Sequence, residues 1–307
     1  MPGFGELPKL RFSAYPAPTP CRRTEHFPNT FSGDFSTPSL KDGTLSVQLH
    51  GAHGSLAMQR AAALGLGIFA DEKELDGDAA EIDRVSGGVL HDLISRGDFT
   101  GKDGEQTVLY LPRGAPAKRL ILVGLGDSPA FTLDKVREAS ARMIRKAADL
   151  KLPTLALGIP GLRRLVAPSR DVAQAAAEGV ILGSYRFDQL KSSAAKNGRV
   201  LPQVTCVWEE EETLPSLQRG LEAGRKIAAA VCLARDLIMQ PAGQLTPKML
   251  AATARQTART FGMRCTILGL PQLRRLAMGA LLGVAQGSSE PPTFSILEHA
   301  GGMPEDP

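Results

Sequence analysis

The chain has 307 residues, of which 43% are hydrophobic and 22% charged, and its formal net charge is +4. This composition is that of a globular protein with room for two domains. The small net charge and the scattered basic residues argue against a dedicated nucleic-acid surface. No apolar run approaches the ~18 residues that a membrane-spanning helix needs, and Glu6, Lys9 and Arg11 stand where a secretory signal would be apolar.

The first 45 residues differ from the rest of the chain. They contain seven prolines among Ser, Thr and Gly and have no sustained apolar period. Such a segment buries too little apolar surface to offset the entropy lost on ordering. We therefore predict a disordered tail over residues 1–45.

Residues 46–212 alternate between strand and helix patterns, which predicts an α/β layer domain. The runs RLILVGL and ALGLGIFA are almost continuously apolar, as in a parallel sheet covered on both faces. Thr132 is suited to cap a helix whose apolar stripe includes Val136, Met143 and Ile144. The predicted strands are 63–70, 106–111, 119–125, 154–157 and 203–208, and one helix is predicted from Asp78 to just before Gly97.

A long Ala- and Leu-rich helical pattern runs from about Leu214 to Leu237, and we interpret residues 213–233 as a linker helix. The acidic run 209–212 before it is predicted to be a solvated connection, because adjacent carboxylates repel one another.

A further α/β unit is predicted over residues 234–307. Thr246-Pro247 is a strong helix start, with Thr at the N-cap and Pro at the first helical position, and Gly262 is suited to the helix end. Strand-like runs follow at 264–268, 281–285 and 293–297. Only about 70 residues follow Ala234, fewer than the roughly 100 of a common domain, so the unit is expected to be cut short.

Short motifs provide only weak candidates for a site. Gly124-Leu125-Gly126 follows a strand and precedes a helix, but it lacks the third glycine of a dinucleotide-binding turn. His50 and His53 form H-x-x-H without a nearby third ligand, so exposed loop histidines are the simpler interpretation. His91 and His299 have no evident triad partners.

The four cysteines, Cys21, Cys206, Cys232 and Cys265, are far apart and form no C-x-x-C pair. They are typical of reduced thiols in a cytoplasmic protein. No residue set makes a convincing active site by its own chemistry. We therefore predict no catalytic, cofactor-binding or metal-binding residue in this chain.

Two segments of the chain, separated by about 30 residues, resemble segments of one known protein family. Residues 234–247, ARDLIMQPAGQLTP, resemble the A-R-D-L-[VI]-N-x-P-x-N-x-[LM]-T-P segment of the leucine (cytosol) aminopeptidase family. Residues 278–292, MGALLGVAQGSSEPP, are similar to a second segment of that family, at a matching spacing. Residues 178–188, EGVILGSYRFD, resemble a third. Met239 and Gly243 depart from the two asparagines that the family commonly has.

The resemblance implies a macro-like amino-terminal α/β domain, a linker and the start of an α/β metallo-exopeptidase domain. For a complete member it implies removal of amino-terminal residues from peptides, two divalent metals (Zn or Mn) and a hexamer. The implied ligands are one lysine, three aspartates and a glutamate, with a second lysine and an arginine near the scissile group. They lie in segments like V-G-K-G-x-x-F-D-[ST]-G-G and N-T-D-A-E-G-R-L, neither of which occurs here.

A count of lysines and carboxylates also indicates that the two-metal site is missing, independently of the family resemblance. No lysine follows Lys248, and the carboxylates beyond Asp236 are Glu290, Glu298, Glu305 and Asp306. A two-metal site with several carboxylate ligands cannot be assembled from these residues. We therefore predict a truncated, inactive leucyl-aminopeptidase-like chain. The alternatives are a non-catalytic oligomerisation or regulatory module, and a macro-like ligand-binding module in which Gly124 to Asp127 contact a phosphate.

Overall fold

The computed structural model describes residues 47–301 except 73, 116, 192–202 and 211–213. The described residues contain eight strands and eight α-helices. The strands are β1 (Gln48–His53), β2 (Ala63–Ile68), β3 (Gln106–Tyr110), β4 (Arg119–Gly124), β5 (Thr154–Gly158), β6 (Gln203–Trp208), β7 (Arg264–Leu268) and β8 (Phe294–Glu298). The helices are α1 (Gly77–Ser86), α2 (Val89–Ser95), α3 (Leu133–Asp149), α4 (Ser169–Ser184), α5 (Leu214–Met239), α6 (Pro247–Phe261), α7 (Leu270–Arg275) and α8 (Gly279–Ala285).

Six strands form one sheet in the order β1-β6-β5-β2-β4-β3. All neighbours are parallel except β3 and β4, which are antiparallel. Nearly all residues of the paired strands β2 and β4 are buried, because helices cover both faces of the sheet. The predicted α/β class with a parallel sheet is confirmed.

The two faces of the sheet have separate apolar cores. On one face, α3 and α4 pack against the sheet through side chains such as Val136, Ile144 and Val172. On the other face, α1 and α2 pack through side chains such as Ile82 and Leu90, with Phe99 beneath them. The helices that follow β2 therefore lie on the opposite face from the helix that follows β5.

Helix α4 packs unusually close to α5. It is rich in Ala and Gly and is buried over most of its length, with Ala173, Ala176 and Ala177 inaccessible to solvent. A Cβ atom added at Gly220 of α5 would lie 2.1 Å from the Arg170 carbonyl oxygen, and one at Gly224 would lie 2.5 Å from the Gln174 carbonyl oxygen. The two backbones can approach this far only because α5 has glycine at both positions.

The stretch after α5 has few buried side chains. Thr246 caps α6 by accepting a hydrogen bond from the Met249 N–H (3.3 Å), and α6 ends at Gly262 with φ +67°. Strands β7 and β8 pair as an antiparallel two-stranded sheet. Beyond Gln240, the buried apolar side chains among the described residues are Ala251, Ala258 and Leu273. A two-stranded sheet with so little buried surface is marginal in isolation.

Several sequence predictions are corrected by the structure. The single helix predicted from Asp78 is two helices, because Gly87 and Gly88 both have positive φ and end α1. The predicted strand 281–285 is helical and belongs to α8. Neither β1 nor α4 was predicted as an element. The predicted tail, residues 1–45, lies outside the described residues.

The glycine contacts between α4 and α5 give a prediction. We expect Gly220→Ala to lower the free energy of unfolding by roughly 1–3 kcal/mol, since its methyl group would overlap the Arg170 carbonyl. Gly283→Ala is the matched control, because that helical glycine has no atom within 4 Å of an added Cβ. The control is expected to raise the stability by about 0.5–1 kcal/mol. Urea unfolding followed by circular dichroism measures both, and equal effects would contradict the close packing.

Candidate functional site

A crevice opens at the carboxyl ends of three neighbouring parallel strands, β2, β5 and β6. Its cavity has a volume of about 100 Å³ and is lined by residues of the segments that follow these strands. The chain leaves β2 towards α1 on one face and leaves β5 towards α4 on the other, so the two segments diverge. A crevice between diverging segments at this edge is where open α/β sheets bind ligands. Below, "the crevice" means this cavity, and its lining residues are Leu66, Gly67, Phe69, Glu72, Asp76, Gly77, Asp78, Ala79, Gly158, Ile159, Pro160, Gly161, Leu162, Arg163, Arg164, Val207, Trp208, Glu209 and Glu210.

Two arginines join the segments around the crevice. The Arg163 guanidinium forms an ion pair with Glu209, and that of Arg164 lies 3.1 Å from Asp76 and 3.8 Å from Glu72. Arg163 also passes over Gly77, whose φ of +48° and lack of a side chain leave room for the guanidinium. Glu209 was predicted to belong to a solvated run, but it holds Arg163 here.

Asp78 has a different environment from the other carboxylates of the crevice. It lies in the first turn of α1, is partly buried, and accepts a hydrogen bond from the Leu56 N–H at Oδ1 (3.2 Å). Among the described residues it has no cation within ion-pair distance. Burial raises the pKa of Asp78 to about 6, and the charge of Glu209 acts in the same direction. Burial likewise raises the pKa of Glu72.

Trp208 ends β6 and is 3% exposed. Its benzo edge packs at Gly51, where an added Cβ would lie 2.5 Å from Cη2. Its indole Nε1–H is buried and has no acceptor in the part of the chain that is described. Buried donors of this kind usually have a partner, so this N–H is an exception within the apolar core that Trp208 shares with α4 and α5.

The turn Gly124-Leu125-Gly126 is not a phosphate cradle. Its three N–H groups donate to the carbonyl oxygens of Glu105 (2.8 Å), Ile68 (2.9 Å) and Gly101 (2.9 Å). An added Cβ at Gly124 would lie 2.0 Å from the Lys102 carbonyl oxygen. The first glycine therefore permits a close approach of loop 101–105, and these amides are not available to a ligand.

Two of the sequence segments quoted above meet in space. The Tyr185 hydroxyl, just after α4, donates to Asp236 Oδ1 (2.8 Å), and the Arg235 guanidinium lies 5.4 Å from the centre of the Tyr185 ring. Burial and the hydrogen bond to Asp236 raise the pKa of Tyr185. The ARDL segment thus fastens the end of α5 to the end of α4.

Comparison with known proteins assigns both parts of the chain to one family. Residues 66–194 match the amino-terminal domain of the cytosol aminopeptidase family, and residues 232–307 match its catalytic domain. The chain belongs to the cytosol aminopeptidase family. It carries the amino-terminal domain of that family and part of its catalytic domain.

Relatives of the cytosol aminopeptidase family match over most of this chain. The "probable cytosol aminopeptidase" of Alkaliphilus oremlandii is 32% identical over 80% of this chain and 49% of its own length. That of Roseiflexus castenholzii is 37% identical over 71% of this chain and 44% of its own length. The chain therefore spans about half the length of the curated relatives it matches.

Solved structures agree on the fold. A lysine-to-glutamate mutant of tomato leucine aminopeptidase has a TM-score of 0.69 at 23% identity, covering 81% of this chain and 50% of its own. The bottromycin maturation enzyme BotP has a TM-score of 0.61 at 28% identity, covering 77% of this chain and 46% of its own. BotP has also been solved in complex with Mn. The resemblance to leucine aminopeptidases inferred from the sequence is confirmed.

Members of the cytosol aminopeptidase family are metal-dependent, and a bound metal ion needs several side-chain ligands that converge on it. Within residues 47–301, outside the four gaps, no three His, Cys, Asp or Glu side chains lie close enough together to hold an ion. His50 and His53 are exposed on the edge strand β1, not in a loop, and His53 Nε2 donates to the Glu209 carbonyl (2.8 Å). His91 and His299 are exposed as well. The described residues do not fit the two-metal centre that the resemblance implies.

The crevice itself could not be located from the sequence. Its arginines appear there only as the dipeptide Arg163-Arg164, and its carboxylates are spread over more than 130 residues. The available signal was the placement of polar residues directly after apolar strands, as at Asp71-Glu72 and Glu209-Glu210. None of the described helices is long and apolar enough to cross a membrane.

The partly buried Asp78 carboxylate predicts a pH-dependent stability. Because its pKa rises from 3.8 to about 6 on folding, the folded state holds the proton more tightly, and the unfolding free energy falls as pH rises through this window. Asp78→Asn keeps the acceptor for Leu56 and removes the charge. We expect this variant to be more stable than the parent by roughly 1–3 kcal/mol at pH 8, with the difference vanishing below about pH 4.

Chemical unfolding at a series of pH values measures this difference. Asp92→Asn is the control, because it removes a carboxylate that is exposed on α2 outside the crevice. A parent protein more stable than Asp78→Asn at pH 8 would show that Asp78 is not an uncompensated charge.

Proposed function

We propose that this chain is the non-catalytic portion of a leucyl-aminopeptidase-type protein and that residues 1–307 do not hydrolyse peptides by themselves. The complete parent would remove amino-terminal residues from peptides by two-metal hydrolysis in the cytoplasm. Its class of reaction is supported by the family and by the names of the relatives. The whole parent would carry ligands that these residues lack.

The observation that carries the proposal is the composition of the catalytic-domain match. Residues 232–307 contain one lysine, Lys248, and after Asp236 only Glu290, Glu298, Glu305 and Asp306 are acidic. Within the described range, Glu290 and Glu298 are both exposed. A hydrolytic site with two metals needs several carboxylates converging on the ions. We therefore propose that no residue of this chain is catalytic or binds a catalytic metal.

We also propose a domain division of 46–212, 213–233 and 234–307. The six-stranded sheet, residues 48–208, supports the first boundary, and the start of the catalytic-domain match at residue 232 supports the last. The proposed linker is part of one continuous helix, α5, that extends to Met239. Arg235 and Asp236 therefore lie on the same rigid element as the linker.

The activity prediction is tested with purified residues 1–307. We expect no release of leucine from leucine amide with added Mn²⁺ or Zn²⁺, because the ligand set for two metals is missing. A full-length cytosol aminopeptidase assayed in parallel shows that the conditions support turnover. Metal-dependent turnover that is lost in Lys248→Met or Glu298→Gln would contradict the proposal, since contaminating peptidases would not respond to these changes.

We propose that the chain self-associates, in line with the hexamer that the resemblance implies for complete members. Exposed large apolar side chains are concentrated after Leu237 and support this. They are Ile238, Met239, Leu250, Phe261, Leu276, Val284, Phe294 and Leu297. Apolar surface at this density marks a contact region in soluble proteins.

Matched substitutions test the association. We expect Val284→Lys to shift the sedimentation profile towards monomer, because it places a charge in the apolar region. Val166→Lys is the control, since Val166 is also fully exposed but lies in the segment between β5 and α4. A parent chain that sediments as a monomer at all concentrations would contradict the proposal.

A further inference from the structure

Helix α6 has a solvent face made of cations. Lys248, Arg255 and Arg259 follow one another at intervals close to whole helical turns, so they lie on one side of the helix. All three are exposed, and none forms an ion pair with another described residue. The helix contains no acidic residue. This side of α6 is therefore the one that water covers.

A second exposed side of α6 is apolar. Leu250 and Phe261 are about three helical turns apart and lie on the side of α6 opposite to the cations. Their exposed fractions are 46% and 57%. The buried Ala251 and Ala258 lie between these two sides. A helix that already has a polar solvent face leaves large apolar side chains exposed on another side where a further surface covers them.

The strand pair next to α6 is also incompletely covered. Residues paired across β7 and β8 lie on the same face of the sheet, and successive pairs alternate between the two faces. Leu297 pairs with Cys265 on one face, and Phe294 pairs with Leu268 on the other. Leu297 is 44% exposed and Phe294 is 40% exposed. Each face of the strand pair therefore presents a large apolar side chain to solvent.

The outer edges of the strand pair are open as well. The backbones of β7 and β8 bond to each other, and no other described backbone group bonds to either strand. Such edges accept a further strand from another polypeptide segment. The Thr293 hydroxyl donates to the Pro247 carbonyl (3.0 Å) and joins the start of β8 to the start of α6. A single partner can therefore contact the helix and the strands together.

The comparisons indicate which partner fits. The match to the catalytic domain begins at residue 232, and this chain covers only about half the length of its relatives. The other half of a relative therefore corresponds to no residue of this chain. A strand pair with open edges and apolar side chains on both faces is typical of the inside of a larger sheet, which further strands and helices cover.

We propose that α6, β7 and β8 form a docking surface for the carboxyl-terminal part of a cytosol aminopeptidase catalytic domain. The partner adds a strand to an open edge and covers the exposed apolar side chains. Below, "the docking surface" means the outer edges of β7 and β8 together with Leu250, Phe261, Phe294 and Leu297. The proposal rests on the family membership of the chain and not on its proposed lack of activity. A second copy of this chain would compete for the same region.

Co-expression tests the docking. Tagged residues 1–307 are produced together with the part of the Alkaliphilus oremlandii protein that follows the segment matched by this chain. We expect the two polypeptides to purify together and to elute as one complex of equal stoichiometry in size-exclusion chromatography with light scattering. A tagged chain that purifies without the second polypeptide would overturn the proposal.

Two substitutions test the apolar side of α6. Leu250→Lys and Phe261→Lys each place a charge where the partner buries an apolar side chain, and we expect each to raise the dissociation rate of the complex at least about tenfold. Both positions are exposed in the chain alone, and far-UV circular dichroism confirms that the variants are folded. Val166→Lys is the control, because Val166 is fully exposed in the sheet domain. An unchanged dissociation rate in either α6 variant would overturn the proposal.

Hydrogen exchange tests the added strand. We expect backbone amides of residues 264–268 or 294–298 to exchange more slowly in the complex than in the chain alone, whereas those of the buried strand β4 stay unchanged. Unchanged exchange in both segments would overturn the strand addition. A homo-oligomer of residues 1–307 that excludes the second polypeptide would overturn this proposal and support self-association. A chain that is monomeric alone but forms the complex would support this proposal and contradict self-association.

Discussion

The contact between α4 and α5 is the constraint on which the other features depend. Gly220 and Gly224 let the α5 backbone touch carbonyl oxygens of α4, so the two helices are held at a fixed separation. The start of α4 positions the segment that carries Arg163 and Arg164 to the crevice. The end of α4 leads to Tyr185, which holds Asp236 of α5. One close-packed helix pair therefore positions both the crevice and the first residues of the catalytic-domain match.

The two parts of the chain differ in how completely they are packed. The six-stranded sheet has an apolar core on each face and is covered by helices. The part after α5 has few buried side chains and exposes a band of apolar ones. Its helix α6 and strands β7 and β8 are locally well formed, because their caps and pairing need no further partner. The apolar surface, in contrast, is stabilised only when another protein surface covers it.

Two polar groups near the carboxyl ends of β2 and β6 reduce the stability of the folded state. They are the partly buried Asp78 carboxylate, whose pKa burial raises, and the buried Trp208 Nε1–H, which has no described acceptor. The ion pairs of Arg163 and Arg164, by comparison, connect the segments around the crevice and stabilise their arrangement.

Local patterns in the sequence determined much of this protein: the apolar strands β2, β4, β5 and β6, the helices capped by Thr132 and Thr246, and the family, which two spaced segments specify. These local patterns did not predict the elements whose structure depends on tertiary packing. Helix α4 has Ala and Gly on every side and so no amphipathic period, β1 is a polar edge strand, and the short apolar run 281–285 fits a strand as well as a helix. The crevice could not be predicted from the sequence either. Asp78, Arg163 and Trp208 are far apart along the chain, and only the parallel order of β2, β5 and β6 brings the segments after them together.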